Sequence, residues 1–253
     1  MFKNAIVKTP SKSLVKGITT ANLGFPNYEK AIEQHQKYIE ALESCEVTVK
    51  ILDADENYPD STFIEDVALL TPKCAVITNP GAESRNGETA GLEEVLKGYY
   101  LEIEKIESPG TVEAGDIMMV GSHFYIGLSK RTNYDGAQQM IQILEKHDLT
   151  GSAVELSEML HLKTGVAYLE NNNMLAFCEF LDKPEFQKFN LIEIDEDESY
   201  AANSIWINNN VIVPKGFPKT KNKIEALEYK VIEVDVSEFQ KLDGGLSCLS
   251  LRF

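Results

Sequence analysis

Five times along the chain the same order of segments returns: an apolar strand, a short turn, a second apolar strand, a helix and a third strand. Turn residues between β-rich runs mark the hairpins, and helical spacing of apolar residues marks the helices. One copy runs through strands 66–70 and 74–78 about a turn at Pro72, then a helix over 88–97 and a strand over 100–106. The next has strands 116–120 and 124–128, a helix over 134–147 and a strand over 153–156. A third has strands 165–169 and 174–178 about Asn171-Asn172-Asn173, a short helix over 184–188 and a strand over 191–194. The fourth has strands 204–207 and 211–213 about Asn208-Asn209-Asn210, a helix over 219–227 and a strand over 231–234. The fifth is split: strand 248–252 ends the chain, while strand 5–8, helix 28–42 and strand 47–52 begin it. A split copy closes a ring, as the joined blade of a propeller does, and a period near ~50 residues suits a repeat architecture. The expectation is an α/β fold of pseudo-symmetric ββαβ repeats. It forms one domain over 1–253, its last blade closed by the N- and C-terminal strands.

Charge and cysteine usage narrow the function. With 24 Lys and Arg against 40 Asp and Glu, the chain carries −16 at neutral pH. That excludes a phosphate-led grip on DNA or RNA, which needs basic patches, and favours cationic small molecules. No run approaches the ~18 apolar residues of a membrane span. The opening stretch MFKNAIVKTPSKS has no long apolar segment and is not expected to act as a signal peptide. Cys45, Cys74, Cys178 and Cys248 lie far apart with no CxxC pair, so neither a zinc knuckle nor a disulfide framework is expected. Free thiols suit a reducing cytoplasm.

The residues able to do chemistry fall at one place in the repeat, the lead-in to the first strand. Four of the five lead-ins hold such a residue: Glu65-Asp66, Glu113 with Asp116, His161 and, after Gly244-Gly245, Cys248, while the remaining one reads Ala202-Asn203-Ser204. If the copies stand around an axis, these positions converge at one end of it. A cysteine with a histidine that a carboxylate orients is the usual arrangement for nucleophilic catalysis, and further carboxylates would bind a cation. Each residue also has a plainer reading. Cys248 lies in an apolar strand where most cysteines only pack, although two glycines before it permit close approach of a ligand. Cys45, Cys74 and Cys178 read as structural. His35 and His147 fall in helices and His123 in a turn, which sets His161 apart. Glu65-Asp66 has the look of a solvated pair, Glu113 of a loop acid, Asp116 of a turn residue, and Asp195-Glu196-Asp197-Glu198 of a solvated loop.

Five separated motifs then carry a resemblance over essentially the whole chain. Residues 59–66 (PDSTFIED), 80–85 (PGAESR), 112–116 (VEAGD), 160–164 (LHLKT) and 243–248 (DGGLSC) closely resemble the dimethylarginine dimethylaminohydrolase family, nearest its bacterial branch. The resemblance implies a five-bladed α/β propeller around a central channel. It implies hydrolysis of N-omega-methylated arginine to citrulline plus methylamine or dimethylamine, without cofactor or metal. Position by position it makes Cys248 the nucleophile, His161 the general acid and base, and Glu113 the carboxylate that assists it. Asp66 would grip the guanidinium with Glu65 in support, and Asp60 would sit at the amino-acid end of the substrate. Arg85 and Arg131 would clamp the α-carboxylate, a grip suited to arginine. Residues 17–24 match a mobile lid, with the backbone of Ile18 and of Leu242 on the α-amino group. A homodimer is the expected assembly, with no nucleic-acid or membrane partner. The rival within the same chemistry is deimination of arginine or agmatine. Arginine deiminases usually carry a helical insertion for which this chain has no room, and agmatine would leave Arg85 and Arg131 without a purpose. A non-catalytic member of the scaffold, such as a ribosome-binding factor, would need neither Cys248, His161 nor Glu113.

Overall fold

The computed structural model describes residues 1–253. Its strands are β1 (Asn4–Lys8), β2 (Thr48–Leu52), β3 (Ala68–Leu70), β4 (Ala75–Ile77), β5 (Ile103–Lys105), β6 (Ile117–Val120), β7 (His123–Leu128), β8 (Thr150–Glu155), β9 (Val166–Tyr168), β10 (Asn173–Ala176), β11 (Asn190–Glu193), β12 (Ile205–Ile207), β13 (Asn210–Pro214), β14 (Lys230–Val234) and β15 (Leu251–Arg252). The longer helices are α1 (Tyr28–Ser44), α2 (Leu92–Leu96) and α3 (Tyr134–Lys146), followed by the single turn α4 (Leu162–Gly165) and by α5 (Pro218–Glu225). The strands form five three-stranded sheets, ordered β15-β1-β2, β3-β4-β5, β6-β7-β8, β9-β10-β11 and β12-β13-β14. In each, the middle strand pairs antiparallel with the first and parallel with the last, as the repeated ββαβ pattern requires. In the split copy Ala5 pairs with Arg252 on one side and with Val49 on the other.

Local chemistry explains these elements. The middle strands are nearly continuous apolar runs and are buried along most of their length. The outer parallel strands are more exposed, and each carries charge: Lys50, Glu104 and Lys105, Glu155, Glu193, and Lys230 with Glu233. Charged edges discourage pairing with another chain. Two hairpins turn on asparagines in the left-handed region, Asn171 and Asn172 (φ 51° and 64°) and Asn208 and Asn209 (φ 48° and 69°). Asparagine tolerates that conformation, and such turns match the twist of the flanking strands. Helix α1 starts where the Asn27 side chain accepts the Lys30 N–H at 2.8 Å. It buries Ala31, Gln34, His35, Tyr38, Ile39 and Leu42, the stripe that helical periodicity lays on one face.

The chain folds as two compact units, Met1–Ile64 with Gly165–Phe253, and Glu65–Thr164. The first holds three sheets. One of its cores packs α1 with Leu14, Phe63, Phe239 and Leu246, and another joins Leu169, Leu175, Val211 and Ile224. Full burial of a side chain such as Tyr38 or Phe239 contributes about 1.5–3 kcal/mol. The second unit holds two sheets over a core of Val76, Ile117, Phe124, Ile126, Met140 and Leu144.

Two expectations are corrected. First, the strands expected from 66, 116, 165, 204 and 248 begin later, and short helical turns precede them: Ile64–Val67, Ala114–Asp116, Leu162–Gly165, Glu196–Ala202 and Ser247–Leu249. Cys248 therefore sits in a helical turn before β15, not inside a strand. Second, the acidic run at 195–198 is not uniformly solvated. Glu198 is buried and accepts the Lys219 and Thr220 N–H groups at 3.0 and 2.6 Å, capping the start of α5.

Candidate active site

In the unit Glu65–Thr164, the turns before β3 and β6 and the turn at α4 bring together acids and one imidazole. Glu113 stands at the N-terminal end of the turn Ala114–Asp116 and is 1% exposed. Its Oε1 accepts the Ala82 N–H at 3.0 Å, its Oε2 lies 3.0 Å from His161 Nε2, and Arg131 Nη1 is 3.7 Å from Oε1. Burial works to raise the Glu113 carboxyl, but the bond and charge of His161, with Arg85 and Arg131, bring it down to about 2. Burial works to lower His161, but Asp116, the bond to Glu113 and the charge of Asp66 push it up to about 9. At neutral pH the pair is thus an imidazolium and a carboxylate, which makes His161 a proton donor.

Asp66 is 3% exposed; its Oδ1 accepts the Gly115 N–H at 2.9 Å, and its Oδ2 meets Arg85 Nη1 at 2.6 Å. Gly115 has to be glycine here, because a Cβ would stand 2.7 Å from Asp66 Oδ1 and 3.0 Å from His161 Nδ1. Glu65, 4% exposed, receives Lys163 Nζ at 2.6 Å. Contrary to the solvated reading, both acids of this pair are buried with cationic partners. Arg85 is itself buried and further bonded to Glu88 through Nε and Nη2. The resemblance sets Asp66 and Arg85 at opposite ends of a substrate, whereas here they are each other's partners. Of the two arginines, Arg131 is the more open, with 21% of its side chain exposed against 6% for Arg85.

One ligand-type atom from each of Asp66, Glu113 and His161 lies within 4.8 Å of the others.

In the other unit the remaining predicted residues form two groups. Asp60, 6% exposed, accepts the Ile18 N–H on Oδ1 at 3.0 Å, and a Cβ on Gly17 would meet Asp60 Oδ1 and the Leu242 side chain. Ile18, Asp60 and Leu242 therefore stand together. The segment after them is exposed, yet tied by Thr20 N–H to Asp243 Oδ2 at 2.6 Å and by Thr19 Oγ1 to Lys241 O at 2.9 Å. Cys248, partly exposed, receives the Gly245 N–H on Sγ at 3.4 Å. Its turn is held from several sides: Tyr200 donates to Gly244 O, Tyr38 to Leu246 O and Arg252 to Ser247 O. Asn203 accepts the Ser247 N–H at 2.9 Å and donates to Ser247 Oγ at 3.0 Å. A Cβ on Gly245 would lie 2.5 Å from the Asn203 side chain, so the glycine serves the asparagine's approach.

Against this geometry the comparisons are decisive. A family model described as N,N dimethylarginine dimethylhydrolase, eukaryotic, matches residues 25–250. The chain belongs to the dimethylarginine dimethylaminohydrolase family. It is 61% identical to an N(G),N(G)-dimethylarginine dimethylaminohydrolase of Pseudomonas aeruginosa over 100% of both chains. The solved structure of a cysteine-to-serine mutant of the P. aeruginosa protein complexed with citrulline superposes with a TM-score of 0.99, covering 100% of both chains at 61% identity. A histidine-to-glycine form of a dimethylarginine dimethylaminohydrolase, the adduct with S-methyl-L-thiocitrulline, gives the same score, coverage and identity. The five three-stranded sheets are those of this family's pseudo-fivefold, propeller-like α/β fold. Within this member of the dimethylarginine dimethylaminohydrolase family, sequence reading named the acids, the imidazole and the thiol. It gave no role to Glu88, Lys163, Asn203 or Asp116, which hold those groups. The one available signal is position, since Asp116 lies in a lead-in turn and Asn203 directly follows one.

Proposed function

We propose that the protein hydrolyses N-omega-methylated arginine, as asymmetric dimethylarginine or monomethylarginine, to citrulline and dimethylamine or methylamine. The observation that carries this reading is the imidazolium of His161 bonded to buried Glu113 beside a second buried acid, Asp66. Family membership and the relative's citrulline complex support it. The thiolate of Cys248 adds to the guanidinium carbon. His161 gives its proton to the departing amine as that C–N bond breaks, leaving an S-alkylthiouronium. His161, now neutral, takes a proton from water; the hydroxide adds to the same carbon, the C–S bond breaks to restore the thiolate, and citrulline leaves as its hydroxyl proton passes to the released amine. Asp66, supported by Glu65, takes the guanidinium. Asp60 stands at the amino-acid end of the substrate, with the Ile18 and Leu242 backbone on the α-amino group, and Arg131 takes the α-carboxylate together with Arg85, which gives up its pairing with Asp66 when substrate binds.

The whole chain, 1–253, acts as one catalytic domain. Four cysteines without a disulfide suit the cytoplasm, and the assembly is a homodimer, for which light scattering should give twice 28.3 kDa. The deciding experiment incubates the protein with asymmetric dimethylarginine and with arginine. Citrulline with dimethylamine is the expected outcome; ammonia from arginine as the main product overturns the reading in favour of a deiminase. Cys248→Ser should lose turnover and keep methylarginine binding.

A further inference from the structure

Asp116 is fully buried, and the mechanism above gives it nothing to do. Its carboxylate accepts three hydrogen bonds. Oδ2 takes the hydroxyls of Ser129 and Thr132, each at 2.7 Å, and Oδ1 takes the Leu162 N–H at 3.0 Å. Each hydroxyl spends its one proton on Asp116, so both oxygens turn lone pairs outward. Thr132 Oγ1 then accepts the Glu113 N–H at 3.2 Å, and Ser129 Oγ accepts the Arg131 N–H at 2.9 Å. Leu162 follows His161 directly in the chain. One carboxylate thus reaches the backbone at Glu113, at Arg131 and next to His161.

We infer that Asp116 is a positioning residue that sets the register of the Glu113–His161 pair and of Arg131 through the polarity of its hydrogen bonds. This rests on the assignment of His161 as proton donor. Its charge acts in the same direction as its geometry. The groups facing the imidazole are Glu113, Asp66 and Asp116, with Arg85 and Arg131 behind the first two, and the Asp116 charge is the strongest of the influences that raise His161. Asparagine keeps the acceptor for Leu162 but must present its NH2 to the two hydroxyls. Their protons then lose their acceptor, and the charge is gone.

The test uses the full chain carrying Asp116→Asn, with His161 followed by NMR titration in the absence of substrate and with kcat and KM measured for asymmetric dimethylarginine. The expected result is a His161 midpoint lower by roughly one unit or more, with kcat reduced at least about tenfold. An unmoved midpoint with only a lower Tm means that Asp116 merely packs, and overturns the inference. Should Asp116→Asn fail to fold, Thr132→Val carries the test, since it deletes only the hydroxyl between Asp116 and Glu113. A kcat reduction is expected there, and a wild-type kcat overturns the inference. His161→Gly is measured in parallel. If it keeps turnover, the proton-donor assignment fails, while the midpoint shift in Asp116→Asn still decides the positioning role.

Discussion

The two histidines with the largest shifts move in opposite directions, because one found carboxylates and the other found none. His161, pushed up to about 9 from an ordinary 6.5, lends stability that is complete below pH 6.5 and is lost as pH rises through 9. Glu113, brought from 4.5 to about 2, lends stability present above pH 4.5 and lost as pH falls through 2. The pair therefore works fully between those limits. Glu113→Gln should bring the His161 midpoint down toward 6.5. It should also narrow the stability difference between pH 5.5 and 9.5, read by urea unfolding, on the order of 2 kcal/mol. His35 is the reverse case. It is buried beside Phe239, its Nε2 has no partner, and burial lowers it to about 4. Folding then excludes a proton that the unfolded chain binds, so stability falls as pH drops from 6.5 through 4. His35→Leu should lose less stability than wild type over that interval in the same assay; parallel curves would mean that His35 finds a partner when protonated.

Among the elements, the helix starts show how far a local sequence rule reaches. Asn27 before α1 is the kind of residue that caps a helix, three positions ahead of the amide it accepts. The cap of α5 comes instead from Glu198, distant in sequence and in what looks like a solvated acidic run. Glu198→Ala should therefore cost about 1–2 kcal/mol in thermal or urea unfolding. Asp197→Ala should leave the unfolding curve almost unmoved, because both it and its partner Lys219 are exposed. The lead-in turns make the same point. Their positions follow from the repeat, but whether they are strand or helical turn depends on what the side chains meet.

At the scale of the molecule, both ends of the chain enter one sheet. Phe253 accepts the Lys3 and Asn4 N–H groups at 2.8 Å, β15 pairs with β1, and Arg252 holds the Ser247 and Ser250 carbonyls behind Cys248. Removing residues 251–253 should therefore lower Tm and reduce turnover well beyond the loss of folded protein, with kcat per folded molecule as the measurement. Unchanged kcat would show that the Cys248 turn stands without its strand. The sequence by itself determined the five modules, their hairpins and the split one, because β-rich apolar runs, the turn residues between them and helical periodicity are written into neighbouring residues. It also determined the family, through short motifs around Asp66, Glu113, His161 and Cys248. Only the tertiary structure decided that Glu65, Asp66, Glu113 and Asp116 are buried, which cations and amides they face, and that Arg85 is paired with Asp66. An acid leaves water only where long-range packing supplies its hydrogen bonds and countercharge, and those partners lie tens of residues away along the chain.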